Sequence, residues 1–61
     1  MPVDLLDDEY SYVRAEAARA LARAGHNARK ALPRLKQHEN DANEETRAAI
    51  QNAKKAIEEN K

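Results

Sequence analysis

The sequence contains no cysteine, tryptophan or phenylalanine, and only one glycine and two prolines among its 61 residues. Without cysteine the chain can form neither a disulfide nor a thiolate zinc site, so neither can reinforce a small core. Acidic and basic residues are equal in number, 11 of each, and the formal net charge is zero. A neutral chain has no overall field that would attract it to nucleic acid or to an anionic membrane.

The sequence also has no long apolar run, and its longest apolar stretch is too short to cross a bilayer. The first ten residues, MPVDLLDDEY, have neither the basic start nor the apolar segment of a signal peptide. We therefore expect a cytoplasmic protein without a membrane partner.

The apolar residues that are present are mostly small. Hydrophobic residues make up 41% of the chain, and 13 of them are alanine. A chain of this length buries only about 60% of the surface that it exposes when unfolded, and alanine offers less apolar area than larger side chains. We expect one small domain over residues 1–61 whose core needs a second chain or further repeats to be stable.

The spacing of apolar residues predicts a first helix that begins near Tyr10 or Ser11. It should end at Gly25, because glycine adopts the positive φ of a helix C-cap at least cost. Its inward stripe at i, i+4, i+8 and i+11 comprises Val13, Ala17, Leu21 and Ala24, with Ala20 beside them.

Two more helices are predicted after Gly25. Asn27 should cap a second helix in which Pro33 separates a short turn, 28–32, from a straighter segment to about residue 39, since an interior proline removes a backbone donor and clashes with the preceding turn. Asn43 should cap the third helix. The inward stripe of that helix is Ile50, Ala53 and Ile57.

The predicted fold class is all-α: antiparallel helical hairpins with three main helices and a short N-terminal apolar turn at residues 3–6.

Two parts of the chain repeat at an interval of 33 residues. When Asp8 is aligned with Asp41, Arg14 falls on Arg47, and the following small and aliphatic positions also coincide. Such a period with paired helices is typical of solenoid repeats. It predicts one repeat over residues 8–40 and the first half of a second over 41–61.

The segments LLDDEYSYVRAEAARALARAG, HNARKALPRL and DANEETRAAIQNA resemble the HEAT repeat family, in particular its short bacterial form, an α-solenoid. If these repeated residues were catalytic, the aspartates would act as an acid and the arginines would bind a phosphate. The resemblance instead implies a structural role for Asp8, Arg14, Asp41 and Arg47: the turn Asp accepts backbone donors and binds an Arg of its own or the adjacent repeat, which holds the repeats in register.

The stretch KQHEND suggests a metal site, because His38, Glu39, Asp41 and Glu44 lie close together in sequence. In the iron-binding HEAT-like hydroxylases, however, His-Glu pairs lie inside the first helix of several repeats, whereas this single pair closes a second helix. A metal also needs three or four convergent donors, and a nucleophilic enzyme needs a serine, threonine or cysteine beside a base. We therefore predict no metal, no cofactor, no catalytic residue and no enzymatic activity.

The predicted function is a non-catalytic protein-interaction or scaffold module that binds a partner protein or itself, most simply as a two-fold homodimer. The predicted interface residues are Leu5, Leu6, Tyr10, Tyr12, Ile50 and Ile57. Two alternatives are a metal-dependent HEAT-like enzyme fragment and a module that binds the nucleic-acid backbone. The basic strip for the latter is Arg29, Lys30, Arg34 and Lys36, but no aromatic residue is interleaved to stack on bases.

Overall fold

The computed structural model describes residues 5–59, and the fold is all-α, as predicted. Helix α1 spans Ser11–Ala24, a 3₁₀ segment spans Gly25–Ala31, helix α2 spans Leu32–Gln37 and helix α3 spans Glu44–Glu59. Helix α1 is one arm of a hairpin, and the 3₁₀ segment with α2 is the other. Helix α3 packs against α1 and both parts of the second arm.

Before α1, the Asp8 amide donates to the Leu5 carbonyl at 3.1 Å and closes a turn. The predicted apolar turn at residues 3–6 lies partly outside the described residues. Within residues 5–59, no helix is both long and apolar enough to cross a membrane.

Gly25 ends α1, as the sequence predicted. Its φ is 62° and its ψ is −138°, and its backbone N–H donates to the carbonyls of Leu21 and Ala22. A β-carbon would be crowded at this positive φ, so glycine is favoured. The chain therefore leaves α1 abruptly and returns as the second arm.

The prediction for the second arm was partly wrong. Asn27 lies inside the 3₁₀ segment and does not cap a helix, and Pro33 lies in the first turn of α2, which ends at Gln37. The N–H groups of a first turn have no intrahelical acceptor, so a proline there removes no helical hydrogen bond. Pro33 therefore lies where a short turn gives way to a straighter helix, as predicted, although that helix ends two residues earlier than expected.

Helix α3 begins as predicted. The Oδ1 atom of Asn43 accepts a hydrogen bond from the Thr46 amide at 2.9 Å, and Glu44 and Glu45 occupy the first turn. Their negative charges lie near the positive end of the helix dipole. The start of α3 is thus determined by the Asn43 cap and by the charges of its first turn, which are all neighbours in the sequence.

The core lies between α1, α3 and the second arm. Its buried apolar residues are Leu6, Ala15, Ala17, Ala18, Leu21, Ala31, Leu35, Ala49, Ile50, Ala53 and Ile57. The predicted stripe of α3 is confirmed. The stripe of α1 is confirmed at Ala17 and Leu21 only, because Val13 is half-buried and Ala24 is exposed.

Ala15 and Ala18 are buried, although Val13 and Ala24 were expected to be, because α3 packs against a different side of α1. The carbonyl of Ser11 accepts a bond from Thr46, and Arg19 pairs with Glu45. These contacts turn the side of α1 that carries Ala15 and Ala18 toward α3. Small side chains there allow the two helices to pack closely.

Thr46 is the one polar residue in the core of the described chain, and it is fully buried. Its hydroxyl donates to the Ser11 carbonyl at 3.0 Å and lies 3.1 Å from Asn43 Oδ1. A buried hydroxyl needs such a partner to offset the cost of leaving water. Thr46 thereby ties the start of α3 to the start of α1.

Replacing Ile50 with valine tests whether the thin core limits stability. Ile50 is fully buried, and Ile50→Val should lower the free energy of unfolding by about 0.5 to 1.5 kcal/mol, because one methylene is lost from a packed site. Urea unfolding followed by circular dichroism measures the change. Gln51→Ala, at the exposed neighbour, is the control, and equal unfolding midpoints for the two variants would contradict the assignment of Ile50 to the core.

Candidate functional site

Arg14 and Asp41 form a bidentate ion pair between α1 and the turn that precedes α3. Arg14 Nε donates to Asp41 Oδ2 at 2.8 Å, and Arg14 Nη2 donates to Asp41 Oδ1 at 3.0 Å. The two side chains are only 18% and 7% exposed. A planar guanidinium matches a carboxylate in this geometry, and partial burial reduces screening by salt.

The same guanidinium also holds the turn before its own helix. Arg14 Nη1 donates to the backbone carbonyl of Asp8 at 2.8 Å and to that of Glu9 at 3.1 Å. Arg14 therefore links two turns that lie one repeat apart in the sequence. A lysine ammonium lacks the fixed fork that reaches both targets at once.

Arg47 repeats the local half of this arrangement 33 residues later. Its Nη1 donates to the carbonyl of Asp41 at 2.7 Å and to that of Ala42 at 3.3 Å. The spacing of six and five residues back along the chain is the same as for Arg14. The internal repeat in the sequence is thus also a repeat of hydrogen bonds.

The two aspartates repeat as well. Asp8 Oδ1 accepts from the Tyr10 amide at 2.9 Å, and Asp41 Oδ1 accepts from the Asn43 amide at 2.8 Å. In both cases the side chain closes a turn by bonding the amide two residues on. Each turn carboxylate is therefore positioned by a backbone amide of its own turn, independently of any arginine.

The environment of Asp41 favours its charged form. The two hydrogen bonds from Arg14 lower the pKa of the Asp41 carboxyl, the Asn43 amide lowers it further, and the positive charge of Arg14 acts in the same direction. Desolvation opposes these effects but is the smaller influence beside the Arg14 bonds. Asp41 is thus a charged group that the fold stabilises.

Further ion pairs lie around this network and closer to the surface. Arg19 pairs with Glu45 at 2.9 Å, and Lys54 pairs with Glu39 at 2.7 Å and lowers the pKa of that carboxyl. The Arg19–Glu45 pair is exposed, and pairs of that kind contribute little to stability. Sequence reasoning missed them because their partners are 26 and 15 residues apart and no repeat marks them.

The residues predicted to form an interface fall into two groups. Leu5, Tyr10 and Tyr12 are exposed, at 46%, 55% and 69%, and the two tyrosine rings lie with their centroids 5.8 Å apart. We call Tyr10 and Tyr12 the tyrosine patch. The side chains of this group are accessible to a partner.

For Leu6, Ile50 and Ile57 the interface prediction was wrong, because all three are fully buried in the core. Ile50 and Ile57 belong to the inward stripe of α3, which packs against α1 and the second arm. These residues stabilise the chain itself.

Several of the other polar candidates are engaged in pairs. His38 Nε2 lies 2.8 Å from Asp7 Oδ1, and Arg34 of the basic strip bonds the other oxygen of Asp7. Glu39 bonds Lys54. Within residues 5–59, no three histidine, cysteine or acidic side chains are arranged to hold a metal ion.

The comparisons with known proteins agree with this repeat geometry. A family model described as HEAT repeats matches residues 2–61. The chain belongs to the HEAT repeat family, whose members generally serve as protein-interaction and scaffold modules. No curated protein and no solved structure gave a match.

Arg14→Lys tests the double role of the Arg14 guanidinium. Lysine keeps the charge but cannot bond both Asp41 oxygens and the two carbonyls. We expect the free energy of unfolding to fall by about 1 to 3 kcal/mol, the range for hydrogen bonds to charged groups. Urea unfolding is the measurement. Arg23→Lys, at an exposed position near the end of the same helix, should leave stability unchanged, and similar losses in both variants would refute the assignment.

The lowered pKa of Asp41 predicts a dependence of stability on pH. The contribution of the charged carboxylate is fully present above its unfolded pKa of about 3.9 and is lost as the pH falls through the lower folded value. Between about pH 5 and pH 2, the urea midpoint of the wild type should therefore fall further than that of Asp41→Asn. Asparagine retains an oxygen for the Asn43 amide, so the comparison isolates the charge. Parallel curves would show that Asp41 does not contribute.

Proposed function

We propose that this HEAT-repeat chain is a non-catalytic scaffold that binds proteins and associates with itself, with a homodimer as the smallest assembly. In this proposal residues 8–40 are one complete repeat, and residues 41–61 are the first half of the next. Asp8, Arg14, Asp41 and Arg47 keep the repeats in register. A cytoplasmic location and the lack of enzymatic activity stay predictions.

The exposed apolar groups at one end of the chain are the observation that supports this proposal. Leu5, Tyr10 and Tyr12 are the large hydrophobic residues most exposed in the described part of the chain. Tyrosine is favoured at protein interfaces because it combines a large apolar ring with a polar tip. The tyrosine patch therefore has the chemistry of a contact surface for a protein.

The 33-residue repeat identifies a second part of this surface. In α3 the positions Thr46, Ala53 and Ile57 are buried against the rest of the chain. Their equivalents in α1 are Val13, Ala20 and Ala24, of which the first two are half-buried and the third is exposed. We call these three residues the open face of α1. Repeat symmetry indicates that another repeat-like surface covers it.

Sedimentation equilibrium over a hundredfold concentration range, with circular dichroism at each point, tests the proposal. We expect reversible association with a gain in helix content, because a thin core is completed by the second chain. Tyr10→Ser combined with Tyr12→Ser should weaken association, whereas Lys30→Ala, on the 3₁₀ segment, should not. Interference optics are required, since the double variant contains no tyrosine or tryptophan. A helical monomer at every concentration would refute self-association.

A further inference from the structure

The two ends of the described chain carry complementary halves of the Arg14–Asp41 contact. Among residues 5–59, the Asp8 carboxylate has no arginine partner and Arg47 has no carboxylate partner. Arg14 and Asp41, their equivalents in the interior, are joined to each other at 2.8 and 3.0 Å. One end of the chain thus presents an acceptor and the other a donor of the same bond.

We infer that a second copy of this chain docks head to tail, so that Arg47 of one copy binds the Asp8 carboxylate of the next as Arg14 binds Asp41. The inference depends on the proposed self-association and specifies its contact residues and its direction.

The position of Arg47 supports this pairing. Its Nη1 is held by the Asp41 and Ala42 carbonyls at 2.7 and 3.3 Å, and Arg14 Nη1 is held by its own turn at 2.8 and 3.1 Å. A guanidinium is planar and rigid, so fixing Nη1 leaves the edge formed by Nε and Nη2 for a carboxylate. In Arg14 this is the edge that binds Asp41.

The position of Asp8 is complementary. The Tyr10 amide holds Asp8 Oδ1 at 2.9 Å, as the Asn43 amide holds Asp41 Oδ1 at 2.8 Å. The acceptor is therefore preorganised, which reduces the entropy lost when a partner binds. Asp8 is half-buried and accessible.

The same docking covers the open face of α1. Repeat symmetry places this open face of one copy against α3 of the adjacent copy. The side of α3 concerned carries Ala48, Gln51 and Lys55, which are equivalent to Ala15, Ala18 and Ala22 in α1. All three are exposed in the single chain. Because Gln51 and Lys55 stand where the first repeat has alanines, this contact is more polar than the α1–α3 contact, and we expect it to be reversible.

A two-fold contact uses the same patch on both copies, whereas Asp8 lies in the turn before α1 and Arg47 lies on α3, so the arrangement that repeats the Arg14–Asp41 contact stacks one end of a copy on the opposite end of the next. Contact between unlike ends is heterologous, so each added copy leaves one Asp8 and one Arg47 available. Assembly therefore continues beyond a dimer as concentration rises.

Mixing two neutralised variants tests the inference. Asp8→Asn retains Arg47, and Arg47→Gln retains Asp8, so each variant alone lacks one half of the contact. We expect each to associate about tenfold more weakly than the wild type, a loss in the range for a charge-assisted bond. An equimolar mixture should form a 1:1 complex through the intact Arg47 and the intact Asp8. Fluorescence-detected sedimentation velocity, with one variant labelled, measures the complex.

Glu9→Gln and Arg23→Gln make the same chemical changes at exposed positions outside the contact and should associate like the wild type. If Arg47→Gln loses helix content, Asp8→Asn against Glu9→Gln is sufficient, because asparagine keeps the acceptor for the Tyr10 amide. Variants that associate like the wild type, or a mixture without a 1:1 complex, would overturn head-to-tail docking while self-association stands. A monomeric wild type would overturn both.

Discussion

The fold depends on one guanidinium, which connects its own helix to two different turns. Arg14 lies on α1, holds two carbonyls of the turn before that helix and binds the carboxylate of the turn before α3. Six of the eleven buried apolar residues are alanine, which supplies little apolar area, so the packing of the remaining leucines and isoleucines leaves a thin core. A directional, partly buried ion pair supplies the precision that the small core lacks.

The remaining elements are arranged around this contact. Gly25 reverses the chain after α1, and Pro33 begins α2, so that the second arm lies beside both long helices. Asn43 and Thr46 fix the start of α3 immediately after Asp41. The polar network and the core therefore meet at the same corner of the molecule, where the two repeats join.

Local chemistry explains which features could be predicted from the sequence. The Gly25 C-cap, the Asn43 N-cap and the stripe of α3 depend on neighbouring residues or on one helix period, and the family resemblance followed from an interval of 33 residues. The burial of Ala15 and Ala18 and the exposed pair of Arg19 with Glu45 depend on which side of α1 meets α3. That choice is a property of tertiary packing, and no local pattern encodes it.

The repeated hydrogen bonds have a consequence for how such a chain can change in length. Arg14 bonds backward to its own turn and forward to Asp41, and Arg47 repeats the backward bonds, so each of these arginine bonds spans less than one 33-residue unit. Duplicating residues 8–40 would add one more set of these arginine bonds and would break none of them. Genetic duplication can therefore lengthen such a chain in steps of one unit without disturbing the bonds between units already present.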